Sequence, residues 1–141
     1  MHIKYLINNR GYIIFEKGKN LKKLTSDIPN GYGTYVFHRN TKDGEILYIG
    51  KGGTIMQNGS FIKDNGGSKQ FLKQRLNGKQ GEIKRAKFFN QQLDEDSSLN
   101  AIVIEWMIID ENKCLPAFLE ACLIQNFFEQ NHRLPLWNKK F

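Results

Sequence analysis

Residues 33–51, GTYVFHRNTKDGEILYIGK, constrain the fold more than any other stretch. Two short apolar runs, Thr34–Phe37 and Ile46–Ile49, flank a polar turn ending in Asp43-Gly44. Alternating apolar residues around such a dipeptide form an antiparallel hairpin. Each predicted strand sets a tyrosine beside a glycine, in Gly33-Thr34-Tyr35 and in Tyr48-Ile49-Gly50, and Lys51 follows directly. Paired tyrosines can serve sheet packing alone. The remainder of the chain decides whether they do more.

Before the hairpin, Ile3–Ile7 and Tyr12–Phe15 flank Asn8-Asn9-Arg10-Gly11 and predict a second, N-terminal hairpin. Residues 16–30 read as a lysine-rich connector with a helical turn at Leu21–Leu24. After the hairpin, residues 52–67 form a glycine-rich loop. Its spacing matches neither G-x-x-x-x-G-K-[ST] nor G-x-G-x-x-G opening a helix, so no nucleotide cofactor is expected. A loop of this kind can close over a ligand. Ser68 is placed to cap a helix running to about Leu76, with Phe71 and Leu72 one turn before Arg75 and Leu76. Gly78 and Gly81 break that helix. A second one carries Ile83, Ala86, Phe89 or Asn90, and Leu93 at helical spacing, which puts Lys84, Arg85 and Lys87 on its outer face. The run AIVIEWMII, residues 101–109, reads as a central strand covered on both faces. Pro116 then opens a helix that extends through LEACLIQNFFEQN and ends at His132 to Pro135. No second-domain boundary interrupts residues 1–141.

Charge is distributed unevenly. Residues 51–87 hold nine Lys or Arg against two Asp or Glu, while the rest of the chain balances at twelve against twelve. A basic stripe confined to one quarter of the chain points to a polyanion, most simply nucleic acid. It assigns phosphate contacts to Lys63, Lys69, Lys73, Lys79, Lys84, Arg85 and Lys87. The alternative is a solvated lysine face. No apolar stretch is long enough to span a bilayer, and MHIKYLINNR lacks a secretory apolar core, so a cytoplasmic protein without membrane contact is expected. Cys114 and Cys122 are too few for a structural zinc site and read as buried free thiols.

Glu120 is the anomalous residue. It is in register with Ile124 and with Phe127 or Phe128, and its helical neighbours Pro116, Ala117 and Leu123 include no cation. A carboxylate set into an apolar stripe costs several kcal/mol unless it is paired or binds a metal. Arg75 is one candidate partner, which would make a structural ion pair. A divalent cation, Mg²⁺ or Mn²⁺, is the other. Glu105 is a weaker case and reads as a lone edge-facing acid, and His2, His38 and His132 read as incidental. Two tyrosines, a lysine, an inward-leaning arginine and an isolated carboxylate beside a basic surface suit phosphodiester hydrolysis.

Taken in order, Gly33-Thr34-Tyr35, then Tyr48-Ile49-Gly50-Lys51 after twelve residues, then Arg75, Glu120 and Asn138 resemble the GIY-YIG nuclease superfamily over residues 31–138. The resemblance implies an α+β fold with a small three-stranded antiparallel sheet flanked by helices, residues 1–30 being an extension carrying the extra hairpin. It also implies hydrolysis of double-stranded DNA with one divalent metal, leaving 5′-phosphate and 3′-hydroxyl ends. On that resemblance Glu120 is the metal ligand and Arg75 the phosphate clamp. Tyr48 is the general base supported by Tyr35, Lys51 eases its deprotonation, and Asn138 tethers the C-terminal segment. Where many members carry His or Tyr one turn after the arginine, this chain has Lys79. The long stretch between Gly50 and Arg75 and the ending LPLWN look most like the stand-alone type II restriction endonuclease branch, which implies a self-contained enzyme and a homodimer on a palindrome. A repair or mobile-element nuclease, or a catalytically silent binding module of the same fold, are the alternatives.

Overall fold

The computed structural model describes residues 3–62 and 71–141. The architecture is α+β. An antiparallel sheet in the order β1-β6-β2-β3 is built from β1 (Ile7–Phe15), β2 (Gly33–Arg39), β3 (Ile46–Gly52) and β6 (Ile102–Ile109). A miniature hairpin, β4 (Lys79–Gln80) and β5 (Ile83–Lys84), turns at Gly81 with φ 63°. The helices are α1 (Leu21–Thr25), α2 (Leu72–Leu76), α3 (Arg85–Glu95) and α4 (Pro116–Asn131). None of these is long and apolar enough to cross a membrane.

Strand alternation sorts the core into two layers. Tyr35, Phe37, Ile102, Ile104 and Ile108 share one face with Leu72, Leu76 and Phe89 from α2 and α3. Val36, Ile49, Met107 and Ile109 share the other with Leu119, Ile124 and Phe127 from α4. The strand β6 is central, as its unbroken apolar run requires, and its neighbours are β1 and β2.

The three-stranded sheet expected above is replaced by one of four strands, because the N-terminal hairpin does not form. After a 3-10 turn at Lys4–Leu6, residues 7–15 run as one strand along β6, with a register shift between Ile7 and Asn9. The supposed turn glycine has another task. A Cβ at Gly11 would lie 2.6 Å from the Trp106 ring, so the bare backbone makes room for a cross-strand indole.

Further expectations change. The helix around Arg75 begins at Leu72, and the proposed Ser68 cap, with Lys63 and Lys69, lies outside the described residues. The second helix begins only at Arg85, since residues 79–84 are spent on the β4–β5 hairpin. Glu105 is not a lone, edge-facing acid. It sits mid-strand in β6, where Oε1 meets His38 Nε2 at 3.0 Å and Oε2 accepts from Arg10 and Tyr12. His38 is therefore structural, its other ring nitrogen facing Gly44 O. Cys114 is buried, Cys122 partly so, and both are free.

The strand β3 lies at the sheet edge, and residues 137–138 close it. Trp137 N–H donates to Leu47 O at 2.8 Å. Asn138 Oδ1 accepts from Ile49 N–H and its Nδ2 donates to Ile49 O, each at 2.9 Å. One amide side chain thus replaces a missing strand at the residue between Tyr48 and Gly50.

Candidate active site

The register pairs Tyr35 with Gly50 and Phe37 with Tyr48, so both tyrosines lie on the face covered by α2 and α3. Their ring centroids are 6.2 Å apart, and a Cβ at Gly50 would meet the Tyr35 ring at 2.7 Å. The glycine is required there by the ring laid across it. Gly52 serves α2 in the same way, since a Cβ would lie 3.0 Å from Leu72 Cα and 3.1 Å from Arg75 Cγ.

Bare backbone at the edge strand lets groups from both faces meet. A cleft of about 380 Å³ is lined by Tyr35, Tyr48, Gln74, Arg75, Lys79 and Arg85 from one face. Lys51 and Glu120 reach it from the other. Thr34 Oγ1 fastens the first turn of α4 to β2 by donating to Pro116 O at 3.2 Å, which holds the helix carrying Glu120 against the sheet. Four cations and one carboxylate face a single polar cleft.

Glu120 is half-buried and forms neither ion pair nor hydrogen bond among the described residues. The Arg75 pairing does not occur; Arg75 is exposed and its side chain is likewise unpaired among the described residues. Burial holds the Glu120 carboxyl above its ordinary pKa, with Lys51 pulling the other way. An unpaired, partly desolvated carboxylate opening into a cleft fits a hard dication, which Mg²⁺ commonly takes from one or two carboxylates plus water and substrate phosphate. No group of three His, Cys, Asp or Glu exists among the described residues to form a full protein cage.

Burial also pushes the Tyr48 phenol above its ordinary pKa, reinforced by Tyr35 and Glu120. The cations that oppose this are Arg85 and Arg75, whereas the field of Lys51 falls on Glu120. Lys51 Nζ itself reaches Gly53 O at 3.4 Å. Neither tyrosine hydroxyl has a partner among the described residues. Gln74 Oε1 is the one buried side-chain oxygen among them without a hydrogen bond, and Gln74 lines the cleft.

Arg85 corrects the surface role assigned to it. It is 3% exposed. Its guanidinium donates to Arg75 O at 2.8 Å and Gln80 Oε1 at 3.1 Å, with longer contacts to Leu76 O and Lys79 O at 3.4 Å. It also lies 5.0, 5.4 and 5.8 Å from the ring centroids of Tyr35, Phe37 and Tyr48. The side chain caps the C-terminal carbonyls of α2 and brings a positive charge beneath the tyrosines. A signal for it exists in the sequence, because Arg85 and Phe89 are one turn apart and Phe89 is in the core.

The remaining predicted contacts divide by position. Lys79 lines the cleft, Lys73 a neighbouring groove with Lys22 and Gln74, and Lys84 a third hollow with Lys19 and Lys22. Lys87 is exposed on α3. Asn138 stands outside the cleft and acts through the Ile49 backbone. No family model matches the chain, and neither a curated protein nor a solved structure matches it.

Proposed function

We propose that this chain is a divalent-metal-dependent endonuclease of double-stranded DNA, a GIY-YIG type nuclease whose β2, β3, β6, α2 and α4 form the shared core and whose β1 is an addition. The observation that carries this reading is the unpaired Glu120 carboxylate facing Tyr35, Tyr48 and four cations in one cleft. Glu120 would hold Mg²⁺ or Mn²⁺, which when bound supplies Lewis-acid stabilisation of charge on the phosphate and the leaving oxygen.

The protein's own groups supply the rest. Arg75 and Lys79, exposed and free to move, bind the non-bridging phosphate oxygens as a clamp. Tyr48, as its phenolate, would receive a proton from the attacking water; burial holds the phenol above its ordinary pKa and Arg85 and Arg75 oppose that shift, so this base works best towards alkaline pH. Tyr35, packed on Gly50, orients the Tyr48 ring. Water oxygen bonds to phosphorus as the bond to the 3′ oxygen breaks, and that oxygen takes a proton from solvent water, giving a 5′-phosphate and a 3′-hydroxyl. Lys73, Lys84 and Lys22 extend the positive surface along the duplex backbone.

Sequence-specific cleavage, as in restriction, is the role proposed for this site. Two copies would supply the two cuts of a palindrome, and exposed Phe118, Phe128 and Phe141 around one groove of α4 offer a surface for that pairing. The test is incubation of long double-stranded DNA with Mg²⁺ or Mn²⁺, with Glu120→Gln alongside. Discrete fragments lost in the variant are expected. Intact DNA with undiminished binding would overturn the enzymatic reading and leave a binding module.

A further inference from the structure

A second pocket, about 350 Å³, meets the cleft at Tyr48, whose ring lines both. Its other walls include Gln80, Phe88, Gln92, Trp137 and Lys139. The chemistry differs from that of the cleft. Phe88 and Trp137 stand edge to face, with centroids 5.0 Å apart and planes at 85°. Both remain partly exposed, whereas Phe89 beside them is fully covered. Trp137 is held in place by its main-chain bond to Leu47 and by the Asn138 clamp next to it. A rigid aromatic surface left partly open is a stacking platform.

The polar groups around it are available. Gln80 Oε1 is committed to Arg85 Nε, which fixes the amide and leaves Nε2 with no partner among the described residues. The Gln92 amide has none at either end among them. Lys139 and Lys140 are exposed at the rim and form no ion pair among them. An apolar ligand would leave these amides unpaired, and a simple anion would leave the aromatic surface unused. A planar heterocycle carrying a phosphate uses all three kinds of group.

The geometry points to a nucleobase pocket: the base next to the phosphate in the cleft leaves the stack, lies against Trp137 and Phe88, and is read along its edge by Gln92. The donor–acceptor pair of a glutamine amide matches the N6/N7 edge of adenine, so adenine is the preferred base. Lys139 and Lys140 take the other phosphate flanking that nucleotide, the one in the cleft staying with Arg75 and Lys79. This assignment rests on the nuclease reading for the identity of the polymer, and it makes the pocket a specificity element at the cut.

The test uses mononucleotides and no metal. Tryptophan emission is titrated with 5′-dAMP, 5′-dCMP and deoxyribose 5-phosphate for the wild type, Trp137→Phe, Gln92→Leu and Glu120→Gln. Saturable quenching by 5′-dAMP is expected, about tenfold tighter than by 5′-dCMP and absent with the sugar phosphate. It should vanish in Trp137→Phe, where Trp106 remains, weaken about tenfold in Gln92→Leu at unchanged melting temperature, and persist in Glu120→Gln. Equal response to the sugar phosphate would reduce the site to an anion contact of the lysines and overturn the proposal. So would quenching that survives Trp137→Phe, or no saturable response to 5′-dAMP. Neither turnover nor metal enters this titration, so its failure leaves the cleavage reading intact, and loss of cleavage leaves the pocket intact.

Discussion

Replacing Arg85 with methionine is the sharpest test of how the site is held. The side chain is 3% exposed and its two short hydrogen bonds go to Arg75 O at 2.8 Å and Gln80 Oε1 at 3.1 Å. Each charge-assisted bond of this kind contributes about 1.5–3 kcal/mol. Relief of a buried charge offsets part of the loss. The offset is incomplete, because three of the acceptors are main-chain carbonyls that no substitution at position 85 removes: Arg75 O keeps a bond from Gly78 N–H at 3.1 Å, while Leu76 O and Lys79 O lose their guanidinium donor. A net loss of about 3–4 kcal/mol follows. For a chain of 141 residues that lowers the melting temperature by about 10 °C. Arg85→Lys keeps the charge but cannot fork between several carbonyls, and should lose about half as much. Calorimetry without metal reads both values. A Met variant melting within about 3 °C of the wild type would refute the capping role. Because Arg85 grips the backbone of Arg75, cleavage should also fall in both variants well below their melting temperatures.

Glu120→Gln should stabilise the metal-free protein near pH 8, because the ionised carboxylate is disfavoured where burial raises its pKa. That penalty appears as pH rises through the folded pKa, so the gain should vanish by about pH 4; a gain that grows towards acid would contradict it. Gly50→Ala drives a methyl group to 2.7 Å from the Tyr35 ring, and should cut turnover more than about tenfold while melting falls only a few degrees. Asn138→Ala frees both main-chain groups of Ile49 and should cost about 1–2 kcal/mol, with accelerated amide exchange at Ile49 as the local readout. Asp96, bonded to Arg39, is held at about 2, and Glu105, bonded to His38, is also held low. Both contribute stability above the ordinary carboxylate range that is lost as pH falls towards 2, so melting should decline over that window, and less steeply in Arg39→Gln.

Much of the site was legible because it follows from short periods. The two-residue period of β2 and β3 brings Tyr35 and Tyr48 to one face, and the helical period of α4 sets Glu120 among apolar residues with no local cation. What was not legible depends on distant partners. Gly11 reads as a turn until Trp106, paired across 95 positions, is seen to lie on it. Glu105 reads as an edge acid until β1 and β2 close on both sides of β6 and bring Arg10 and His38 to it. Arg85 falls on the outer face when the helical period is counted from Ile83, which belongs to a strand rather than to the helix.

The amide clamp on β3 also sets an order of events during synthesis. Asn138 is made 89 residues after the strand it closes. Until then Leu47 and Ile49 present open backbone groups beside apolar side chains, the state in which strands of different chains join. The pairing of β1 with β6 spans a similar length, so both lateral closures of the sheet wait for late segments. Contacts of such range slow folding. Expression at low temperature, where fewer nascent chains meet, should therefore raise the folded yield more than any change to the cleft.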